Sequence, residues 1–170
     1  MSNKTHVERI EELSASQVSR TVELLMPRLA DTYQNQLPEK TIQLVEAPDL
    51  TQASRVIAET FEAQEYPPKA EIIQAVVERE ESRVELARKM LIILAGLPET
   101  RQVVDTVIAS VEEEMFVMET LAVGIAASLI LLSSGVVIAT IRMKPEGLPE
   151  SLKNICDAIK GIAQRFKIGE

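Results

Sequence analysis

The sequence predicts an all-α protein: an N-terminal helical domain whose heptad hairpin continues into one membrane-spanning helix, followed by a short amphipathic tail helix. Three observations carry that expectation. Residues 120–141, TLAVGIAASLILLSSGVVIATI, run without a formal charge. At ~1.5 Å rise per residue a helix of this length reaches roughly 33 Å, enough for the ~30 Å hydrocarbon core of a bilayer. Elsewhere, apolar residues recur at spacings of three and four, the period of a helix with one buried face. Capping residues and prolines punctuate those stretches where helices should start and stop. The competing reading is α+β, with strands near 40–47 (KTIQLVEA) and 135–141 (GVVIATI), the second rich in β-branched residues.

Taken in order, 5–13 suggests a short helix. Ser14 follows as an N-cap, with Gln17 placed to reach back as its capping-box partner and Leu13 placed to staple onto Val18. Val18, Val22, Leu25 and Leu29 then form an apolar stripe, and Pro27 inside it should kink or restart the helix. Asp49 and Gln52 repeat the cap signature ahead of Ala53, Val56, Ile57 and Phe61, a helix expected to end near Tyr66-Pro67-Pro68. Ile73, Val77, Glu80, Val84, Ala87, Leu91 and Leu94 step by four and three, one heptad seam interrupted by Glu80. Glu78, Arg79, Glu81, Arg83, Glu85 and Lys89 fall off that seam and read as a solvated face, with Glu85 and Lys89 an i,i+4 pair. Gly96 suits a left-handed cap and Pro98 the first turn of the next helix. No internal repeat is read from the sequence.

A second seam, Val104, Ile108, Val111, Met115, Met118, Ala122 and Ile125, keeps the same rhythm and runs into the uncharged segment. Two heptad helices joined by a tight turn should pack antiparallel, the second continuing as a rod from near Glu99 to Arg142. The expected organisation is an acidic helical interaction domain at 1–98, a stalk at 99–119, a transmembrane helix at 120–141 and a basic amphipathic tail at 142–170. Within the membrane helix, Gly124, Ala127, Ser128, Leu131, Gly135 and Ala139 gather on one side. Gly124-xxx-Ser128 and Gly135-xxx-Ala139 are small-xxx-small pairs that let helices approach closely, so homo-oligomerisation is expected there.

The tail carries Leu152, Ile155, Cys156, Ile159, Ile162 and Phe166 on one face. It suits either the bilayer interface or the last position in a helical core. Arg142, Lys144, Lys153, Lys160, Arg165 and Lys167 are its candidate contacts with lipid headgroups. By the positive-inside rule they would place the tail in the cytoplasm. The front half, MSNKTHVERIEEL onward, shows no apolar export signal and argues for a cytoplasmic N-terminal domain of a single-pass inner or plasma membrane protein. These two rules conflict, which leaves room for a segment that inserts only after a trigger.

Residues 1–119 hold 12 Lys/Arg against 22 Asp/Glu, so the front half is acidic and no nucleic-acid partner is expected. The only histidine, His6, sits near the N-terminus, so neither a Ser-His-Asp triad nor a histidine-rich metal site is expected within one chain. Glu112, Glu113, Glu114 and Glu119 lack the Glu-x-x-His pairs of di-iron bundles and read as a solvated collar where the rod meets the membrane. The six glycines form no phosphate loop. Cys156 reads as a small core residue. No catalytic residue, cofactor or metal is therefore expected. The chain reads as a non-enzymatic, self-associating membrane protein whose helical domain binds a protein partner. In organisation it resembles bacterial signalling or defence effectors that oligomerise in membranes. The alternative is a soluble helical adaptor or dimerisation protein that buries 120–141 in its own core.

Overall fold

The structure, a computed structural model, describes residues 4–33, 39, 43, 49–62, 66–113 and 148–168. Among them the regular structure is helical and no strand occurs, as an all-α chain requires. Seven helices carry the core: α1 (His6–Glu12), α2 (Ala15–Tyr33), α3 (Leu50–Thr60), α4 (Ala70–Glu78), α5 (Glu80–Gly96), α6 (Pro98–Glu113) and α7 (Leu148–Arg165). Of the strand alternative, Gln43 is helical, and the rest of 40–47 and all of 135–141 lie outside the described residues. So does the uncharged segment 120–141 with its approach through Met115 and Met118. No helix among the described residues is long and apolar enough to cross a membrane.

Local sequence sets the helix starts. Thr5 and Glu8 close a capping box on α1, each side chain bonding the other's backbone N–H. Ser14 and Gln17 do the same for α2, at 3.1 and 2.9 Å. Asp49 accepts from the Gln52 N–H at the start of α3. These two helices also share a short pattern, Ser14-x-Ser16-Gln17-Val18-Ser19-Arg20 and Asp49-x-Thr51-Gln52-Ala53-Ser54-Arg55. In each, the buried serine returns its hydroxyl to the carbonyl four residues back, Ala15 or Leu50, and so enters an apolar face without an orphan group. α2 does not restart at Pro27 but runs through it. The carbonyl that loses its partner there belongs to Glu23, and both residues are exposed, so water replaces the missing N–H.

α5 is the centre of the molecule, packing against α1, α2, α4, α6 and α7. Its buried residues form two adjacent columns, Ser82, Leu86, Met90, Leu94 and Arg83, Ala87, Leu91, Ala95. That face is wider than a heptad stripe, because a helix flanked on several sides buries more than one seam. The expected heptad helix is accordingly two helices. The backbone is extended at Arg79 (φ −86°, ψ 121°), and Glu80, placed in the seam by its spacing, is exposed. Arg83, expected in the solvated face, is only 7 % exposed.

The break is built from a hydroxyl and an arginine. Ser82 donates to the carbonyls of Val76 and Arg79 (2.6 and 3.0 Å), and Arg83 Nη1 donates to those of Val77 and Glu78 (3.0 and 3.4 Å). Eighteen residues later the α5–α6 junction repeats the arrangement. Thr100 donates to Leu94 and Leu97 (2.6 and 3.4 Å), and Arg101 donates to Ala95 and Gly96 (2.9 and 3.4 Å). The pair thus satisfies the carbonyls that a helix C-terminus leaves open. Gly96 is not the expected left-handed cap; α5 ends on Leu97 in extended backbone, and Pro98 opens α6 as its spacing predicts. Ser82→Ala and Thr100→Val should each lower stability by about 1–3 kcal/mol, the cost of orphaning buried carbonyls, read as a drop in urea midpoint at unchanged slope.

Candidate functional site

The features that bear on function are the two helices that bracket 120–141 and the way each is tied to the body. α6 enters the bracket. Val104, Val107, Ile108 and Val111 are buried, and α6 packs on α2 and α5. Its outer face holds α1: His6 Nδ1 lies 2.8 Å from Asp105 Oδ1, and Arg9 Nε donates to Glu112 Oε1 at 3.2 Å. Glu112, expected in a solvated collar, is exposed and also pairs with Arg9 of α1; Glu114 and Glu119 lie outside the described residues. From α5, Arg88 Nη1 reaches the carbonyls of Ile10, Glu11 and Leu13 (2.7, 3.1 and 2.9 Å) and caps the C-terminus of α1.

α7 leaves the bracket and docks as a core helix. Ile155, Cys156, Ile159, Ile162 and Ala163 are buried, and α7 packs on α4 and α5. Of the two uses its amphipathic pattern allowed, the apolar face is occupied by the protein's own core. Burial pushes the Cys156 thiol up from its ordinary value, because the thiolate would lose its hydration there.

The C-terminal end of α7 is clasped at the α4–α5 break. Arg79 Nη1 donates to the Phe166 carbonyl at 2.9 Å, and its guanidinium lies 5.0 Å from the Phe166 ring centroid. Arg165 approaches the same ring at 5.4 Å and pairs with Glu85 of α5. Two cations thus share one aromatic ring, with a carboxylate offsetting their repulsion. Glu85 makes this long-range pair where sequence spacing pointed to Lys89. Lys167 completes the turn in left-handed backbone (φ 55°). Its N–H bonds the Gln164 carbonyl and that of Ile168 bonds Ala163, the pairing of a Schellman motif, which folds Ile168 back against the core.

No family model, no curated protein and no solved structure matches this chain. The residues themselves must carry the functional reading.

Of the residues the sequence singles out, the structure brings Arg165 and Lys160 into ion pairs, with Glu85 and Asp157. Lys153 and Lys167 are exposed. Arg142 and Lys144 lie outside the described residues, as do the small residues Gly124, Ala127, Ser128, Leu131, Gly135 and Ala139. Among the described residues, no group of three or more His, Cys, Asp or Glu is placed to hold a metal ion. Sequence reading missed the clasp, since Arg79 and Phe166 stand 87 positions apart. The recurrent Glu-Ser-Arg and Glu-Thr-Arg triplets at 81–83 and 99–101 are the sequence signal for the two breaks.

Proposed function

We propose that this chain is a non-enzymatic membrane protein that inserts 120–141 as a single crossing of an inner or plasma membrane and self-associates there. Gly124, Ala127, Ser128, Leu131, Gly135 and Ala139 form the contact between copies. The helical domain lies on the cytoplasmic side and binds a protein partner, in the manner of a signalling or membrane-disrupting effector. The observation that carries this reading is the length and lack of charge of 120–141, which matches a bilayer core. The helix that precedes the segment supports the reading: α6, Pro98–Glu113, has the same apolar period.

A second reading, a helical adaptor that buries 120–141 against itself or a second copy, is favoured by one observation. α6 and α7, the described helices before and after the segment, both pack on α5 and so belong to one body.

Alkaline carbonate extraction of membranes from cells expressing the full chain separates the two. Truncation is a poor control, because it removes the core helix α7. Leu131→Arg with Ile130→Arg serves instead, each charge at mid-bilayer costing roughly 2.5–3.5 kcal/mol of insertion. Retention of a fraction of the parent chain and full release of the double variant is the expected result; full release of both removes the spanning reading. Gly124→Leu with Gly135→Leu should leave insertion intact and weaken oligomers in detergent. Unchanged oligomers would remove the small-residue contact.

A further inference from the structure

We infer that docking of α7 is an autoinhibitory latch: the docked tail helix and a membrane-spanning 120–141 exclude one another, and release of the Arg79–Phe166–Arg165–Glu85 clasp is the step that permits insertion. The inference rests on the membrane reading above and adds to it what holds the segment back.

The constraint is topological. A single crossing of 120–141 puts residues before and after it on opposite sides of the bilayer. In the described fold α7 lies on α4 and α5, the same body that α6 belongs to. The link between segment and tail helix, 142–147, has six residues and carries Arg142, Lys144 and Glu146. Fully extended it reaches at most roughly 21 Å, short of the ~30 Å hydrocarbon core it would have to recross. So α7 must leave α4 and α5 before the segment can span.

The contacts that hold α7 suit release. Among the described residues its buried face is short, Ile155, Cys156, Ile159, Ile162 and Ala163, with Ala158, Phe166 and Ile168 only partly covered. Its end is held by a half-buried ring within reach of two guanidiniums and by an ion pair whose Arg165 side is 64 % exposed and whose Glu85 side is 18 % exposed. With its arginine open to solvent, such a pair is within reach of salt and of competing anions. Lys167 occupies a left-handed position that glycine fills at lower cost, so the turn that seats Ile168 is held under strain by its surroundings.

Cys156 is the only cysteine of the chain and is buried in this interface, which makes its reaction with a maleimide a direct readout of undocking. The full chain, Phe166→Ala and Lys167→Gly are compared for maleimide labelling in solution. The same three are compared for carbonate-resistant association with vesicles of phosphatidylcholine and 30 % phosphatidylglycerol, a composition of about physiological anionic charge. Phe166→Ala should label at least tenfold faster and insert more; Lys167→Gly, which relieves the strained turn, should label more slowly and insert less. Insertion of the parent chain with Cys156 still protected from a membrane-permeant maleimide overturns the latch and leaves the membrane reading standing. The latch is equally overturned if labelling is unchanged by both substitutions, or if Phe166→Ala labels faster yet inserts no more than an inserting parent. If Phe166→Ala frees Cys156 and no variant enters vesicles, the membrane reading fails, and the latch with it.

Discussion

Replacing Leu91 with alanine should lower the stability of the whole molecule by about 2–5 kcal/mol, the range for removing a fully buried leucine from a packed core. Leu91 is fully buried in the middle of α5, the helix against which α1, α2, α4, α6 and α7 all pack. A cavity there removes contacts that several helices share, and neighbours held from different directions cannot all move in to fill it. Against a total of about 5–15 kcal/mol for a typical domain, this is a large fraction. Urea unfolding followed by far-ultraviolet circular dichroism should show one transition at a lower midpoint. Val7→Ala, at an exposed position of α1, should stay within about 0.5 kcal/mol of the parent. A Leu91→Ala midpoint equal to that of Val7→Ala would remove α5 as the organising helix.

Arg88→Ala should act differently, by releasing α1 rather than loosening the core. One guanidinium nitrogen serves three carbonyls at the end of α1, those of Ile10, Glu11 and Leu13. Hydrogen bonds from a charged donor contribute about 1.5–3 kcal/mol, and α1, at seven residues, is too short to persist by its own propensity. The expected result is accelerated amide exchange over α1, with α5 and α6 protected as in the parent. If exchange rises equally in all helices, Arg88 contributes to the global core and not to a local tie.

The residues that make parts of this fold readable act over short sequence distances. Ser14 and Gln17, three apart, cap each other as their spacing implies, and Asp49 caps three residues ahead. Val18, Val22, Leu25 and Leu29 all turn inward because a 3.6-residue period places them on one side of α2. Spacing and structure part where a local pattern competes with a contact from elsewhere. By its spacing Glu80 interrupts one seam, whereas Ser82 and Arg83 cap the preceding carbonyls and end α4 at Glu78. A charge off a seam is usually solvated, but two backbone carbonyls inside the fold accept from Arg83. Glu85 has a candidate partner four residues away in sequence and finds another on α7.

Composition, period and capping are enough to read the helices among the described residues, where most of them begin, which of their faces are apolar, and that 120–141 is long and uncharged enough for a bilayer. These are properties of composition, period and capping, and each is set within a few turns of helix. That α5 is the centre, that Arg79 separates two helices, and that α7 closes onto α4 and α5 follow only from how the helices pack. An apolar face specifies that a helix will be covered but not by what. The cover is chosen by shape and by ties between distant residues, here Phe166 between Arg79 and Arg165. That choice places the described helices before and after the uncharged segment on one body.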